Sequence, residues 1–201
     1  MHETWNFPQK YIGRPVKCET YTDADKIEWY LNGEFITESI PEKAIATALI
    51  PYRPGELTAV AYKNEIETSR YTLKTTDEAT FIKIECEGDR LLSDNRDIAF
   101  FPITVTDSNG NVVRDGEHKL RCTVTGGELL CLFSGNPCNE DDYTSKTCHT
   151  FEGHALAAVR TTQTGTVTVT VYSDTLASGT ATVTAKKRFS RRYINDSDKP
   201  C

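Results

Sequence analysis

The sequence predicts an all-β protein made of two consecutive antiparallel β-sandwich domains. The segment Lys26–Ile36 alternates apolar and polar residues on both sides of Asn32-Gly33, and Ile27, Trp29 and Leu31 fall on one face of the first strand. Asn-Gly supplies the two positive-φ residues of a type I′ turn, so this segment is predicted to be a β-hairpin. Similar strand-like runs recur at about ten-residue spacing along the chain, which is typical of antiparallel sandwiches.

The composition indicates a folded, acidic protein. The chain has 201 residues, of which 38% are hydrophobic and 26% are charged, and this is the range of globular domains. With 23 Lys and Arg against 29 Asp and Glu, the net charge of −6 repels a phosphate backbone, so we expect no nucleic-acid partner. No apolar run approaches about eighteen residues, and the start lacks the pattern of a signal peptide, so we expect no membrane association.

The first predicted domain covers residues 1–75 and begins with an irregular arm. Its predicted strands are Val16–Tyr21, Ile27–Leu31, Phe35–Glu38, Lys43–Pro51, Leu57–Tyr62 and Ile66–Leu73. The alanines of Lys43–Pro51 also suit a short helix. We favour a strand there, because Pro51 and the Pro54-Gly55 turn punctuate the segment and strands surround it. Asn64-Glu65 is predicted to turn the fifth strand back into the sixth.

The second predicted domain covers residues 76–186, after the polar stretch Thr75–Glu78. Its predicted strands are Phe81–Glu87, Ile98–Asp107, Leu120–Thr125, Leu129–Phe133, His154–Thr161, Thr166–Tyr172 and Thr180–Lys186. Residues Thr166–Val171 alternate valine and threonine, which predicts valines facing inward and threonines facing outward. Gly135–His149 is predicted to be one long loop. Residues 187–201 are interpreted as a linker or tail.

The chain contains seven cysteines, at positions 18, 86, 122, 131, 138, 148 and 201. An odd number leaves at least one thiol free of any pairing within the chain. Cys18, Cys86 and Cys122 each lie in a strand-like run, where a thiol behaves as a small apolar residue. This usage favours a reducing compartment, so we expect a cytoplasmic location. If the chain is part of a longer protein, secretion of that parent protein is the alternative. In a secreted parent, a disulfide between Cys138 and Cys148 would close the long loop.

Six stretches, in this order, resemble the two carboxy-terminal β domains of glycoside hydrolase family 2 β-galactosidases. They are Pro15-Val16 with Tyr21–Gly33, Pro51–Tyr62, Asp97–Phe100, Val105–Val113, Gly135–Pro137 and Phe151–Arg160. The first two are similar to the small sandwich that follows the catalytic barrel in that family, through its Leu-Asn-Gly hairpin and Pro-Tyr-x-Pro-Gly-x-Leu pattern. The other four resemble the immunoglobulin-like carboxy-terminal domain. The resemblance spans about residues 5–186 and implies two immunoglobulin-like sandwiches.

The resemblance implies that the parent protein is a retaining β-galactosidase-like glycoside hydrolase and that this part is not itself an enzyme. The carboxylate pair of such an enzyme belongs to a (β/α)₈ barrel of about 250 residues, which this chain does not contain. The family carries its acid/base in an Asn-Glu pair on a barrel strand. Asn64-Glu65 and Asn139-Glu140 are predicted to lie in a turn and a loop, so we expect no catalytic residue and no cofactor.

Four aromatic residues are candidates for contact with the catalytic barrel or with carbohydrate. They are Trp5, Tyr30, Tyr52 and Tyr62. An exposed indole or phenol can stack on a pyranose ring. Trp29 is excluded from this set, since its parity with Ile27 and Leu31 places it in the core. Trp5 is expected to anchor the arm on the barrel.

The loop Gly135–His149 concentrates residues of metal-ligand type, but their spacing matches no zinc or calcium pattern, so we expect no metal site. The resemblance implies an accessory region that packs on the catalytic barrel of its own parent chain, and we expect this loop to shape one rim of the substrate entrance. The alternative is a free-standing carbohydrate-binding or adhesion module. Exposed, coplanar Tyr30, Tyr52 and Tyr62 would distinguish that alternative.

Overall fold

The computed structural model describes residues 3–187, which form fifteen strands and one 3₁₀ turn, Gln9–Tyr11. The predicted all-β class is confirmed. The chain divides into two compact units, the first containing the residues up to Glu78 together with Asp107–Asp115, and the second containing Ala79–Thr106 and the residues from Gly116 onward. The domain limits given above stay a prediction, and they did not anticipate that Asp107–Asp115 groups with the first unit.

The first unit contains six strands in two antiparallel sheets. They are β1 (Pro15–Tyr21), β2 (Lys26–Leu31), β3 (Glu34–Ser39), β4 (Ile45–Pro51), β5 (Glu56–Lys63) and β6 (Ile66–Lys74). One sheet pairs β1 with β4, and the other has the order β3-β2-β5-β6. The segment with the alanines is therefore a strand, as favoured above, because alternate residues of β4 are buried.

The predicted hairpin of the first unit is confirmed. Asn32 and Gly33 have φ of 53° and 81°, the two positive values that a type I′ turn requires, and they join β2 to β3. The Asn32 side chain also accepts a hydrogen bond of 2.7 Å from the Glu56 amide and donates one of 3.0 Å to the Pro54 carbonyl. The hairpin turn is thereby tied to the turn before β5.

The core of the first unit lies between its two sheets. Ala46, Ala48 and Ile50 of β4 face Trp29 and other apolar side chains of the opposite sheet. Trp29 is 3% exposed, which confirms its predicted core position. The alternation of β2, in which every second side chain is buried, follows from packing one face of a strand on a second sheet.

The second unit contains nine strands. They are β7 (Phe81–Ile84), β8 (Arg90–Leu92), β9 (Ala99–Thr106), β10 (Lys119–Thr125), β11 (Glu128–Phe133), β12 (Thr147–His149), β13 (His154–Arg160), β14 (Gly165–Tyr172) and β15 (Gly179–Lys186). One sheet has the order β11-β13-β9-β7 and the other β12-β10-β14-β15-β8. All pairs are antiparallel except that of β15 with β8, which is parallel. The predicted inward valines of β14 are fully buried.

The prediction for three segments of the second unit is corrected. The long loop ends in β12, which pairs with Lys119–Arg121 of β10, and three paired residues are too few for a periodic pattern to show. Strand β8 is also only three residues long and was not predicted. Strand β7 ends at Ile84, so Cys86 lies outside it. Within residues 3–187, no helix has the length and apolarity to cross a membrane.

Candidate functional site

Two of the four predicted contact residues, Tyr30 and Tyr62, share the outer face of the first unit. Tyr30 lies on β2, where residues two apart point to the same side, so Lys26 and Glu28 also face outward. Lys26 lies directly opposite Tyr62 of β5 in the antiparallel register. We call Lys26, Glu28, Tyr30 and Tyr62 the tyrosine–glutamate face.

Glu28 is the hydrogen-bonding centre of the tyrosine–glutamate face. The Tyr30 hydroxyl donates a bond of 2.7 Å to Glu28 Oε2, and Lys26 Nζ lies 3.1 Å from Glu28 Oε1. Lys26 Nζ also lies 5.0 Å from the centre of the Tyr62 ring, within range of a cation–π interaction. Val60 lies opposite Glu28 and is fully buried although it points away from the core. The polar side chains around it therefore cover an apolar base.

These contacts fix the protonation states of the face. The hydrogen bond from Tyr30 lowers the pKa of Glu28, and Lys26 adds to this effect. The same bond to the Glu28 carboxylate raises the pKa of Tyr30 to about 12. Burial, followed by hydrogen bonding to Glu28, raises the pKa of Tyr62. At neutral pH the face therefore carries an ionised carboxylate and two neutral phenols, an arrangement that can bind hydroxyl groups but offers no protonated carboxyl group.

The other two predicted contact residues, Trp5 and Tyr52, lie in the core of the first unit. Each is 1% exposed, and their rings meet edge to face with centroids 5.2 Å apart. The Trp5 indole N–H donates a hydrogen bond of 3.0 Å to the Arg53 carbonyl, which satisfies its one polar atom. Both side chains therefore belong to the core of the first unit, and their contact with the catalytic barrel or with carbohydrate stays a prediction. The arm residue Trp5 fills the unit's own core.

The loop from Gly135 to β12 is organised by its own polar side chains. Asp141 accepts a bond of 2.7 Å from the His149 amide and lies 3.1 Å from His149 Nδ1. The hydrogen bond from the backbone N–H of His149 is the main cause of the lowered pKa of Asp141. Cys138 and Cys148 are free thiols, the first exposed and the second buried. In the part of the chain that the structure describes, no group of three or more His, Cys, Asp and Glu residues could hold a metal ion.

The two Asn-Glu pairs lie in exposed connections. Asn64 and Glu65 have φ of 50° and 61° and form the turn between β5 and β6. Glu140 is an exposed residue of the loop before β12. Neither glutamate stands at the carboxyl end of a barrel strand, the place where an acid/base of this family would act.

The comparison with protein families decides the identity of the chain. The model of "Glycoside hydrolase family 2 C-terminal domain 5" matches residues 82–182, half of the chain. The chain belongs to this family. A second model, "Domain of unknown function (DUF4982)", matches residues 13–69 in the first unit. The resemblance stated above is therefore confirmed over both units.

A curated relative agrees with the family, and solved structures share the fold. A β-galactosidase of Bacteroides ovatus, BoGH2A, is 22% identical over 145 residues, which is 70% of this chain and 17% of the relative. A glycosyl hydrolase family 2 member from Bacteroides cellulosilyticus has a TM-score of 0.85 at 23% identity and covers 92% of this chain and 24% of its own. A β-glycosidase from Bacteroides vulgatus has a TM-score of 0.84 at 20% identity over 90% of this chain and 24% of its own. The chain thus spans about a sixth of the length of the curated relative.

Sequence reasoning identified Tyr30 and Tyr62 as contact candidates but not their partners, Lys26 and Glu28. The parity of β2 already placed Lys26, Glu28 and Tyr30 on one face. The missing information was the register between β2 and β5, which brings Tyr62 opposite Lys26. That register pairs strands that are far apart in the sequence, and no local pattern encodes it.

Proposed function

We propose that this chain is a non-catalytic accessory region of a family 2 glycoside hydrolase and that it packs on the catalytic domain of its parent. The observation that carries the proposal is the ordered pair of family matches, residues 13–69 and 82–182, in a chain that spans only 17% of the matched β-galactosidase. A region of this size is an addition to such an enzyme, since the barrel that performs the chemistry needs about 250 residues.

The charges of the described residues support a non-catalytic role. A retaining glycosidase needs a protonated acid and an ionised nucleophile about 5 Å apart across a cleft. Glu28 lies on a sheet face and is held ionised by Tyr30 and Lys26. Glu19, which lines a cleft of the first unit, is paired with Lys17 at 2.5 Å. The pKa of Glu28 is lowered, the opposite of what a general acid requires.

An apolar cleft in the first unit supports packing against another domain. Its volume is about 840 Å³, and its lining includes the half-buried Val16 and Leu73 together with Tyr21, which is 61% exposed. Strand β1 borders this cleft with an edge that pairs with no other described strand. Apolar surface beside an open strand edge is the kind of surface that proteins cover with a partner. We assign the catalytic domain of the parent as this partner.

The experiment that tests the proposal compares the parent enzyme with and without this region. Removing residues 1–186 should lower the melting temperature of the catalytic domain, and adding the separately purified 201-residue chain should restore it. Activity toward a chromogenic β-galactoside should stay with the catalytic domain throughout. An unchanged melting temperature together with no association between the two parts would contradict the proposal.

The second candidate is sugar binding by the tyrosine–glutamate face, which the juxtaposition of Tyr30 and Tyr62 favours. Two phenol rings beside an ionised carboxylate supply stacking surface and a hydroxyl acceptor. Calorimetric titration of the chain with galactose and β-galactan oligosaccharides tests this function. Heat that disappears in Tyr30→Ala but persists in Tyr21→Ala, an exposed tyrosine on β1, would favour it.

A further inference from the structure

The outer face of the β12-β10-β14-β15-β8 sheet in the second unit is a flat, ordered array of threonines. Register places Thr123, Thr170 and Thr180 in one row across β10, β14 and β15. A second row, one step along, contains Thr125, Thr168 and Thr182, and a third pairs Thr166 with Thr184. All eight side chains are exposed or half-buried, while the alternate residues of the same strands pack in the core.

An aromatic ring and a cationic side chain lie at one end of the array. Arg121 lies opposite Tyr172, and its guanidinium carbon is 5.5 Å from the centre of the Tyr172 ring. These two residues, with Lys119, Thr147 and Asp174, line a cavity of about 370 Å³. Tyr172 is 37% exposed, so part of its side chain is accessible to a ligand. A ring edge, hydroxyl groups and a fixed guanidinium together match the groups of a sugar acid.

The charge of this face is opposite to that of the whole chain. None of the five strands contains an aspartate or glutamate, although the chain carries 29 acidic residues and a net charge of −6. Four basic side chains belong to these strands and are exposed: Arg90, Lys119, Arg121 and Lys186. Carboxylates border the face from outside its strands: Asp174 lines the cavity, and Asp141 pairs with His149 and attracts Lys119. Segregated charge of this kind attracts a ligand of the opposite sign.

We propose that this outer face binds an anionic polysaccharide bearing uronate carboxylates. The threonine rows together with Tyr172 extend over about 20 Å along β14, which suits an extended chain rich in hydroxyl groups. The basic residues pair with its carboxylates, and Tyr172 stacks on one sugar ring. A protein partner fits less well, because the rows lack the large apolar anchors on which protein interfaces depend. The proposal does not depend on the accessory function proposed above.

The test is calorimetric titration of the full 201-residue chain with polygalacturonate and with alginate at low ionic strength, beside neutral β-galactan and double-stranded DNA. We expect binding of at least one polyuronate, weakened by added salt, and no comparable binding of galactan or DNA. No heat with either polyuronate would overturn the proposal. An affinity for galactan equal to that for polyuronate would show that the basic residues do not determine binding. An affinity for DNA equal to that for polyuronate would show that the face does not select a saccharide.

Variants locate the site. Tyr172→Ala and Arg121→Ala should each weaken polyuronate binding by about fivefold or more, since stacking and a charge-assisted contact are lost. Thr182→Glu, which places a negative charge in the second threonine row, should abolish it. The matched control is Thr47→Glu, which changes an exposed threonine of β4 in the first unit. This variant should bind polyuronate as tightly as the unsubstituted chain. Circular dichroism verifies folding, and binding that survives in Thr182→Glu and Tyr172→Ala would contradict the assignment.

Discussion

Tyr30 donates a hydrogen bond of 2.7 Å to Glu28, two residues earlier on the same strand and on the same outward face. The contact joins two side chains that a period-two strand places side by side, and Lys26 extends it by one further step. It holds the carboxylate ionised and the phenol neutral. A surface fixed in this way is suited to contact with a partner or ligand, and poorly suited to proton transfer.

Replacing Glu28 with glutamine should reduce the loss of stability in acid. The pKa of Glu28 is lowered in the folded chain from its ordinary value of 4.5, so its contribution is present above about pH 4.5 and is lost as the pH falls through the folded pKa. Urea unfolding at about pH 7 and pH 3 should therefore show a smaller difference for Glu28→Gln. Glu38→Gln, a more exposed carboxylate 3.9 Å from Lys26, is the control. An equal pH response in all three proteins would contradict the ionised state of Glu28.

The same contact should delay the ionisation of Tyr30. Its pKa of about 12 in the folded chain lies above the ordinary value of 10.0, so the stabilising effect is complete below pH 10 and is lost as the pH rises toward 12. Ultraviolet titration of tyrosinate should lose one late-titrating group in Tyr30→Phe, and Glu28→Gln should move that group toward its ordinary range. Unchanged titration in Glu28→Gln would contradict the role given to the carboxylate.

Asn32 should tolerate glycine better than alanine. Its φ of 53° strains a residue with a Cβ, and its side chain bonds the Glu56 amide and the Pro54 carbonyl. Asn32→Gly loses only the two hydrogen bonds, about 1–2 kcal/mol in the free energy of unfolding, whereas Asn32→Ala adds about 1 kcal/mol of backbone strain. Chemical denaturation measures the difference. Equal stability of the two variants would refute the assigned turn geometry.

Trp5→Ala should destabilise the first unit by about 3–5 kcal/mol, because it opens a cavity in the core. Trp5→Phe should cost less, since it keeps most of the packing and loses the bond to the Arg53 carbonyl. Denaturant unfolding followed by the fluorescence of Trp29 reports on this unit. A loss below about 1 kcal/mol in Trp5→Ala would show that the indole docks elsewhere.

Gly179→Ala should destabilise the second unit, because a Cβ at this position would lie 2.3 Å from the Ile82 carbonyl oxygen. Relief of that overlap requires movement of β15 or β7, at a cost of about 1–3 kcal/mol. Gly135→Ala is the matched control, since no atom lies within 4 Å of its added Cβ. Thermal unfolding should separate the two variants by several degrees, and coincident melting curves would argue against the close approach.

The fold could be predicted from the sequence where periodicity and turn chemistry agree. Lys26–Ile36 combined alternation with Asn-Gly, and Thr166–Val171 alternated without interruption, so both segments were assigned correctly. The short strands Arg90–Leu92 and Thr147–His149 were not predicted. They form because they pair with neighbouring strands, and their own sequences show no periodic pattern. Pairing between distant segments is set by tertiary packing, which a local pattern does not contain.

The candidate site was predictable only in part for the same reason. Tyr30 was placed on the outer face by parity alone. The burial of Trp5 and Tyr52 in the core was not anticipated, since an irregular arm and the residue after a strand have no periodicity to show which way they point. The basic threonine face around Arg121 and Tyr172 needed the register of three strands before it could be recognised.

The measurement that tests the central claim most directly is a paired assay on the purified 201-residue chain. Hydrolysis of a chromogenic β-galactoside is followed while the same preparation is titrated calorimetrically with galactose. The account predicts no turnover above that of buffer, because the barrel that holds the acid and the nucleophile needs about 250 residues, more than the 201 of this chain. Turnover that persists through repurification would contradict the claim that this chain is a non-catalytic region of its parent enzyme.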